Sequence, residues 1–227
     1  MALTETTFEK RLAILLRLLG RPALPGLFNP YSDVDETLDL KSAPRRRRSN
    51  LREYLRAHRQ ARRVLVGEAA GYNGCRFSGI PFTGEDLLVG DRPLPWTEGR
   101  SLQRSSRGAT LRSERSANIV WSSLANDRRL VLWNAVPWHP PRPGEALSNR
   151  KPKRKEEEAG LVLLDAFLDI YPQAVPVAVG RVAESAIEKV GRRAVYLRHP
   201  SMGGQKKFLA GLADEKRRLD AEEISSL

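Results

Sequence analysis

Three short segments combine residues that can hold and polarise a planar, hydrogen-bonding ligand. The first is Gly67-Glu68-Ala69-Ala70-Gly71-Tyr72-Asn73-Gly74, followed by Gly79-Ile80-Pro81-Phe82-Thr83-Gly84-Glu85. The second runs from Asn134-Ala135-Val136-Pro137-Trp138-His139-Pro140-Pro141 to Ser148-Asn149-Arg150. The third is His199-Pro200-Ser201-Met202-Gly203-Gly204. Asn134 carries an acceptor and a donor on one amide, enough to read a heterocycle edge. Phe82 offers an aromatic face for stacking, although an ordinary core aromatic would look the same. His199 can donate to a developing anion, and turn amides at Glu68 and Ala69 can add to it. His139, between Trp138 and Pro140, reads as lining a groove. A glycine-rich loop alone is a weak signal, since glycines also serve ordinary turns. Three polar loops in order, each following an apolar run, are a stronger one.

Those runs are Val64–Val66, Leu130–Trp133, Val175–Val179 and Val195–Leu197. Continuous aliphatic runs suit strands covered on both faces. Helical spacing falls between and around them, over 6–19, 116–126, 155–170, 181–190 and 205–221. Alternation of this kind predicts an α/β fold, a three-layer α/β/α sandwich around a mostly parallel four-stranded sheet. In such sheets ligands bind outside the carboxyl ends of the strands. Residues 1–50 read as an N-terminal helix and a basic extended segment packed on or beside the domain, and 51–227 as the α/β domain. The run Arg45–Arg48, continued by Arg52, Arg56, Arg59, Arg62 and Arg63, reads either as a solvated helix face or as a phosphate-contacting surface.

The 227 residues carry 39 Lys+Arg against 27 Asp+Glu, a net charge of +12, and 41% are hydrophobic. A chain of this size buries a sizeable core, which excludes a wholly disordered protein. The charge favours a polyanion over a small acidic metabolite as partner. A single cysteine, Cys75, excludes an internal disulfide framework and a four-cysteine metal or iron–sulfur site. Three histidines make a His-rich metal site a poor fit, so no metal and no cofactor are expected. No apolar stretch reaches the ~18 residues of a membrane span. A cytoplasmic monomer without a membrane partner is expected.

The segments Gly67-Glu68-Ala69-Ala70-Gly71, Gly79-Ile80-Pro81-Phe82, Asn134 with Pro140-Pro141 and Asn149-Arg150, and His199-Pro200-Ser201 together resemble the uracil-DNA glycosylase superfamily. The nearest pattern is the family-four type, without its iron–sulfur cysteines. The resemblance implies excision of uracil from single- or double-stranded DNA. Asn134 would accept from N3–H and donate to O4, with Phe82 stacked on the ring. His199 would donate to O2. Gly67, Ala69, Gly71 and Tyr72 would shape the base site. Ser201, Met202, Gly203, Arg150 and Lys206 would hold DNA, with Met202 the apolar candidate for a wedge.

The departures from the pattern matter as much. Where family-one enzymes place an aspartate that orients the attacking water, this chain has Ala69. Glu68, Asn73 and Glu85 are candidates to hold that water, Glu68 equally a polar cap. The family-one tyrosine that blocks a thymine methyl maps to Gly71, with Tyr72 adjacent. No lysine is identified for a Schiff base. The expectation is a monofunctional uracil-DNA glycosylase. Its rivals are a glycosylase for another deaminated base such as hypoxanthine or xanthine, and a non-catalytic DNA-binding relative. A small-molecule nucleotide hydrolase is disfavoured, because no Gly-Lys-Ser/Thr phosphate loop is present.

Overall fold

The computed structural model describes residues 4–124, 127–200 and 203–225. Helix α1 (Glu5–Leu19) begins where the Thr4 hydroxyl accepts from the Thr7 amide, and buries Phe8, Leu12, Leu15, Leu16 and Leu19. Helix α2 (Ala43–Ala57) carries Pro44 in its first turn, where a missing N–H is harmless. Four strands follow: β1 (Arg63–Ala69), β2 (Leu130–Val136), β3 (Val175–Val179) and β4 (Val195–Leu197). Between them run the short helices α3 (Cys75–Ser78) and α4 (Asp86–Val89), then α5 (Arg115–Leu124), α6 (Arg154–Ile170) and α7 (Arg181–Lys189). Helix α8 (Gln205–Ile224) follows β4. No described helix is long and apolar enough to cross a membrane.

All four strands are parallel, in the order β2-β1-β3-β4. Helices α6 and α7 pack on the sheet, α6 against β2 and α7 against β1, β2 and β3, with α1 covering α6. Helix α8 packs on β4 and α5. The expected three-layer α/β/α sandwich is therefore present. Its core is continuous: Phe8, Leu12, Tyr54 and Leu55 belong to the same buried cluster as Leu65, Trp133 and Val177. The Trp133 and Phe167 rings stack at 4.1 Å and 9°, tying β2 to α6. The chain leaves β1 for β2 on one side and later reaches β3 on the other. This reversal places the switch point at the carboxyl ends of β1 and β3.

The basic run of α2 splits by environment. Arg45, Arg52, Arg56 and Arg59 are exposed. Arg47 is fully buried, its Nη2 2.5 Å from Asp39 Oδ1, and the same oxygen accepts from Arg76 Nη1 at 2.9 Å. Arg63 is buried against Glu215 and Glu222. Arg56 and Arg59 reach Glu9 and Glu5 on α1. Much of the run braces α1, α2 and the preceding loop instead of forming one phosphate-binding face.

Candidate active site

Strands β1 and β2 extend further than their apolar runs, so that Gly67, Glu68, Ala69 and Asn134 lie inside strands. Gly67 stands opposite Asn134 in the parallel register. A Cβ at Gly67 would lie 2.6 Å from Phe82 Cε2 and 2.9 Å from Asn134 Oδ1. Only a glycine lets the ring and the amide converge there. Phe82 adopts a left-handed backbone with φ 52°, an uncommon state for a bulky residue. Trp121 Nε1 fixes it by donating to the Phe82 carbonyl and to Thr83 Oγ1, both at 3.0 Å. Strain held in place this way belongs to sites where a side chain must be aimed.

A cleft of about 640 Å³ opens at this point, outside the carboxyl ends of the strands. Phe82, Asn134, Ala69 and Gly71 line one part, and Gly180, Tyr196 and His199 another. Gly180 has φ 95°, and a Cβ there would stand 3.6 Å from His199 Cβ. Burial, and then the charge of Arg198, holds His199 below the usual imidazole value. It is thus neutral at pH 7 and able to donate one N–H. Asn134 is 3% exposed, so its amide meets a ligand in a dry environment.

The remaining candidates separate clearly. Glu68 lines the cleft, and burial raises its carboxyl above the usual range, opposed by Lys151. Tyr72 and Asn73 are half-buried but do not line the cleft; the Tyr72 amide donates to Asn149 Oδ1 at 3.1 Å. Glu85 is fully buried and holds a structural turn, accepting from the Ser105 and Ser106 amides at 2.6 and 2.9 Å. Arg150 lines the cleft with its guanidinium committed to Glu156, two contacts at 2.7 Å. Gly203 and Lys206 are exposed where the chain enters α8. Ser201 and Met202 lie outside the described residues.

His139 does not line the cleft. It is fully buried beneath it, Nδ1 3.0 Å from the Ala70 carbonyl and Nε2 3.3 Å from that of Ala146. Burial brings it down to about 4 despite both carbonyls. The neutral ring donates to one of them, and the shorter contact selects Nδ1–H to Ala70. His139 thereby ties the first loop to the second.

Sequence reasoning missed Glu114, Arg181, Tyr196 and Arg198. All four line the cleft. Arg181 lies 4.3 Å over the Tyr196 ring and pairs with Glu184. A larger hollow of about 1200 Å³ lies at the opposite, amino ends of the strands. Its Arg56, Arg59 and Arg129 are tied to Glu9, Glu5 and Asp127, and none of the three motifs reaches it. The chemistry belongs to the smaller cleft. Among the described residues no three His, Cys, Asp or Glu side chains group as a metal site.

The sequence profile described as "Uracil DNA glycosylase superfamily" matches residues 55–221. Among solved structures, WT Pedobacter heparinus SMUG2 superposes with a TM-score of 0.61. The two share 14% identity, over 94% of this chain and 98% of that one. At that identity the likeness concerns the fold. No curated protein matches the chain in sequence.

Proposed function

Because the chain belongs to the uracil-DNA glycosylase superfamily, a group of DNA glycosylases, we propose that it takes uracil out of DNA by hydrolysing the N-glycosidic bond. The observation that carries this reading is the convergence of Phe82 and Asn134 over Gly67, with His199 in the same cleft. A uracil flipped into the cleft stacks on Phe82, which is worth ~1–3 kcal/mol. Its N3–H donates to Asn134 Oδ1, and Asn134 Nδ2 donates to O4. Cytosine presents the reverse pattern at those two positions, an acceptor at N3 and a donor at N4, and is refused as long as the amide keeps this orientation. As the bond to the sugar breaks, negative charge builds on O2. The neutral His199 N–H is the donor for that charge, in a cleft partly closed to water.

Positive side chains surround the base site instead of filling it. Lys151, Arg181 and Arg198 line the cleft and are suited to flanking phosphates. Among the described residues Lys151 is the one lysine that lines the cleft, and in this reading it binds DNA and forms no Schiff base. The product is an intact strand with an abasic site.

A uracil-containing oligonucleotide incubated with the protein and then cleaved by alkali tests the reading, against matched substrates with hypoxanthine, xanthine and thymine. Uracil should be released and borohydride should trap no covalent adduct. Cleavage only at hypoxanthine or xanthine would reassign the base. No cleavage of any substrate, in single or double strands, would leave a DNA-binding relative without activity.

A further inference from the structure

The cleft contains a carboxylate that no motif predicts. Glu114 lies just before α5, far in sequence from the three loops, yet it lines the same cleft as Ala69, Gly71, Phe82 and Asn134. Its carboxyl is pressed against the first loop. A Cβ at Gly71 would meet Glu114 Oε1 at 2.7 Å, and one at Gly74 would come within 2.8 Å of Glu114 Cδ. Gly71 does not have the positive φ that would itself require glycine. The group that stands closest to position 71 is the Glu114 carboxyl, so a side chain added there would have to push that carboxyl aside.

The other acidic groups are placed differently. Glu85 is enclosed by Ser105 and Ser106. Glu68 follows Gly67 on β1, and successive strand residues face opposite sides. Gly67 faces Phe82 and Asn134, while Glu68 feels Lys151 and Glu157. The position that would otherwise supply an acid is Ala69. Glu68 and Glu114 both line the cleft, and among the described residues the carboxyl that lies against Gly71 is that of Glu114.

We infer that Glu114 holds and deprotonates the water that attacks the sugar; this rests on the glycosylase reading above. The water oxygen forms a bond to C1′ as the C1′–N1 bond breaks. The bonding pair leaves with the base as an anion that His199 stabilises. The water proton passes to the Glu114 carboxylate and from there to the departing base, so that one water is consumed per base released.

The test is single-turnover cleavage of a uracil-containing single strand at saturating protein. Glu114→Gln keeps the volume and removes the charge. A positioned base contributes about 10²–10⁴-fold, so the variant should be slower by at least about 10²-fold, with oligonucleotide binding and Tm unchanged. Glu114→Ala opens the space, and added formate should restore part of its rate in a concentration-dependent way. A bracing role for the loop predicts no such rescue. A Glu114→Gln rate within about threefold of the wild type, or a Glu114→Ala protein that formate leaves inactive, overturns the assignment. If wild type is active and Glu114→Gln equally so, only this inference fails. A wild type that releases no base removes the glycosylase reading and this inference together.

Discussion

The ring of Phe82 occupies the space that any side chain at Gly67 would need, with Phe82 Cε2 2.6 Å from the position of a Cβ there. The two are linked through backbone geometry as well as contact. Trp121 holds the Phe82 backbone in its left-handed conformation through the Phe82 carbonyl and the adjacent Thr83 hydroxyl, so the ring is aimed from a fixed Cα. Gly67→Ala should therefore displace the ring from the base. Loss of stacking of ~1–3 kcal/mol corresponds to about 5- to 150-fold in kcat/KM. Phe82→Leu should lose a similar factor. Steady-state kinetics on a uracil-containing oligonucleotide checks both, and wild-type kcat/KM in either variant would place the stacking surface elsewhere.

Asn134 faces that ring from β2, almost wholly buried. Asn134→Asp keeps its shape but exchanges the amide donor for a second acceptor. Uracil O4 would then face an oxygen, and a buried acceptor pair without a proton is costly. The rate on uracil should fall by roughly 10²-fold or more. DNA affinity, set mainly by cations along the backbone, should change little. Measuring both separates the two effects. Equal losses in rate and affinity would mean a folding defect, and no loss would remove Asn134 from base reading.

The contrast between Asn134 and Glu114 shows what a sequence can carry. Strand positions were legible because continuous apolar runs must be covered on both faces, and the loops because glycine, proline and asparagine cluster after them. Asn134 and His199 follow from that order alone. The true ends of β1 and β2 were not legible, since Gly67 and Asn134 resemble loop residues and are strand residues only by pairing with each other. Glu114 sits in a polar stretch, Arg107–Glu114, with no pattern of its own. Only tertiary packing brings it to Gly71. Arg47 was hidden for a similar reason: within a run of arginines it looks solvated, and its partner Asp39 is eight residues earlier in an irregular loop.

That buried cluster makes a prediction about stability. Arg47 and Arg76 share Asp39 Oδ1, and all three side chains are buried. Asp39→Ala leaves two enclosed guanidinium groups without their shared carboxylate. Breaking a buried pair this way costs about 3–5 kcal/mol, or roughly 6–20 °C in Tm for a chain of this size. Glu158→Ala, which removes the exposed partner of Arg154, should cost no more than about 1 kcal/mol. Thermal unfolding of the two variants side by side makes the comparison. Equal Tm values would contradict the bracing role.

Acid should destabilise the fold earlier than its carboxylates alone would allow. His58 and His139 are buried and neutral, each brought down by burial to about 4. In the unfolded chain both titrate near 6.5. The folded value is the lower one, so the unfolded state takes up the extra protons as pH falls. Their contribution is therefore complete above about pH 6.5, declines between about 6.5 and 4, and levels off below. Each histidine accounts for at most roughly 3 kcal/mol over that range. Carboxylates held low by arginines, such as Glu156 and Glu222, act later, because their unfolded value is 4.5 and their share is lost only below it. In the window between 6.5 and 4.5 the histidines therefore lose stability as pH falls, while Glu68, raised by burial, acts in the opposite sense. His139→Gln should flatten urea-derived stability against pH within it, at some cost in stability at pH 7 from the lost bond to Ala70. An unchanged slope in that variant would mean that His139 is protonated in the fold, bonded to both carbonyls at once.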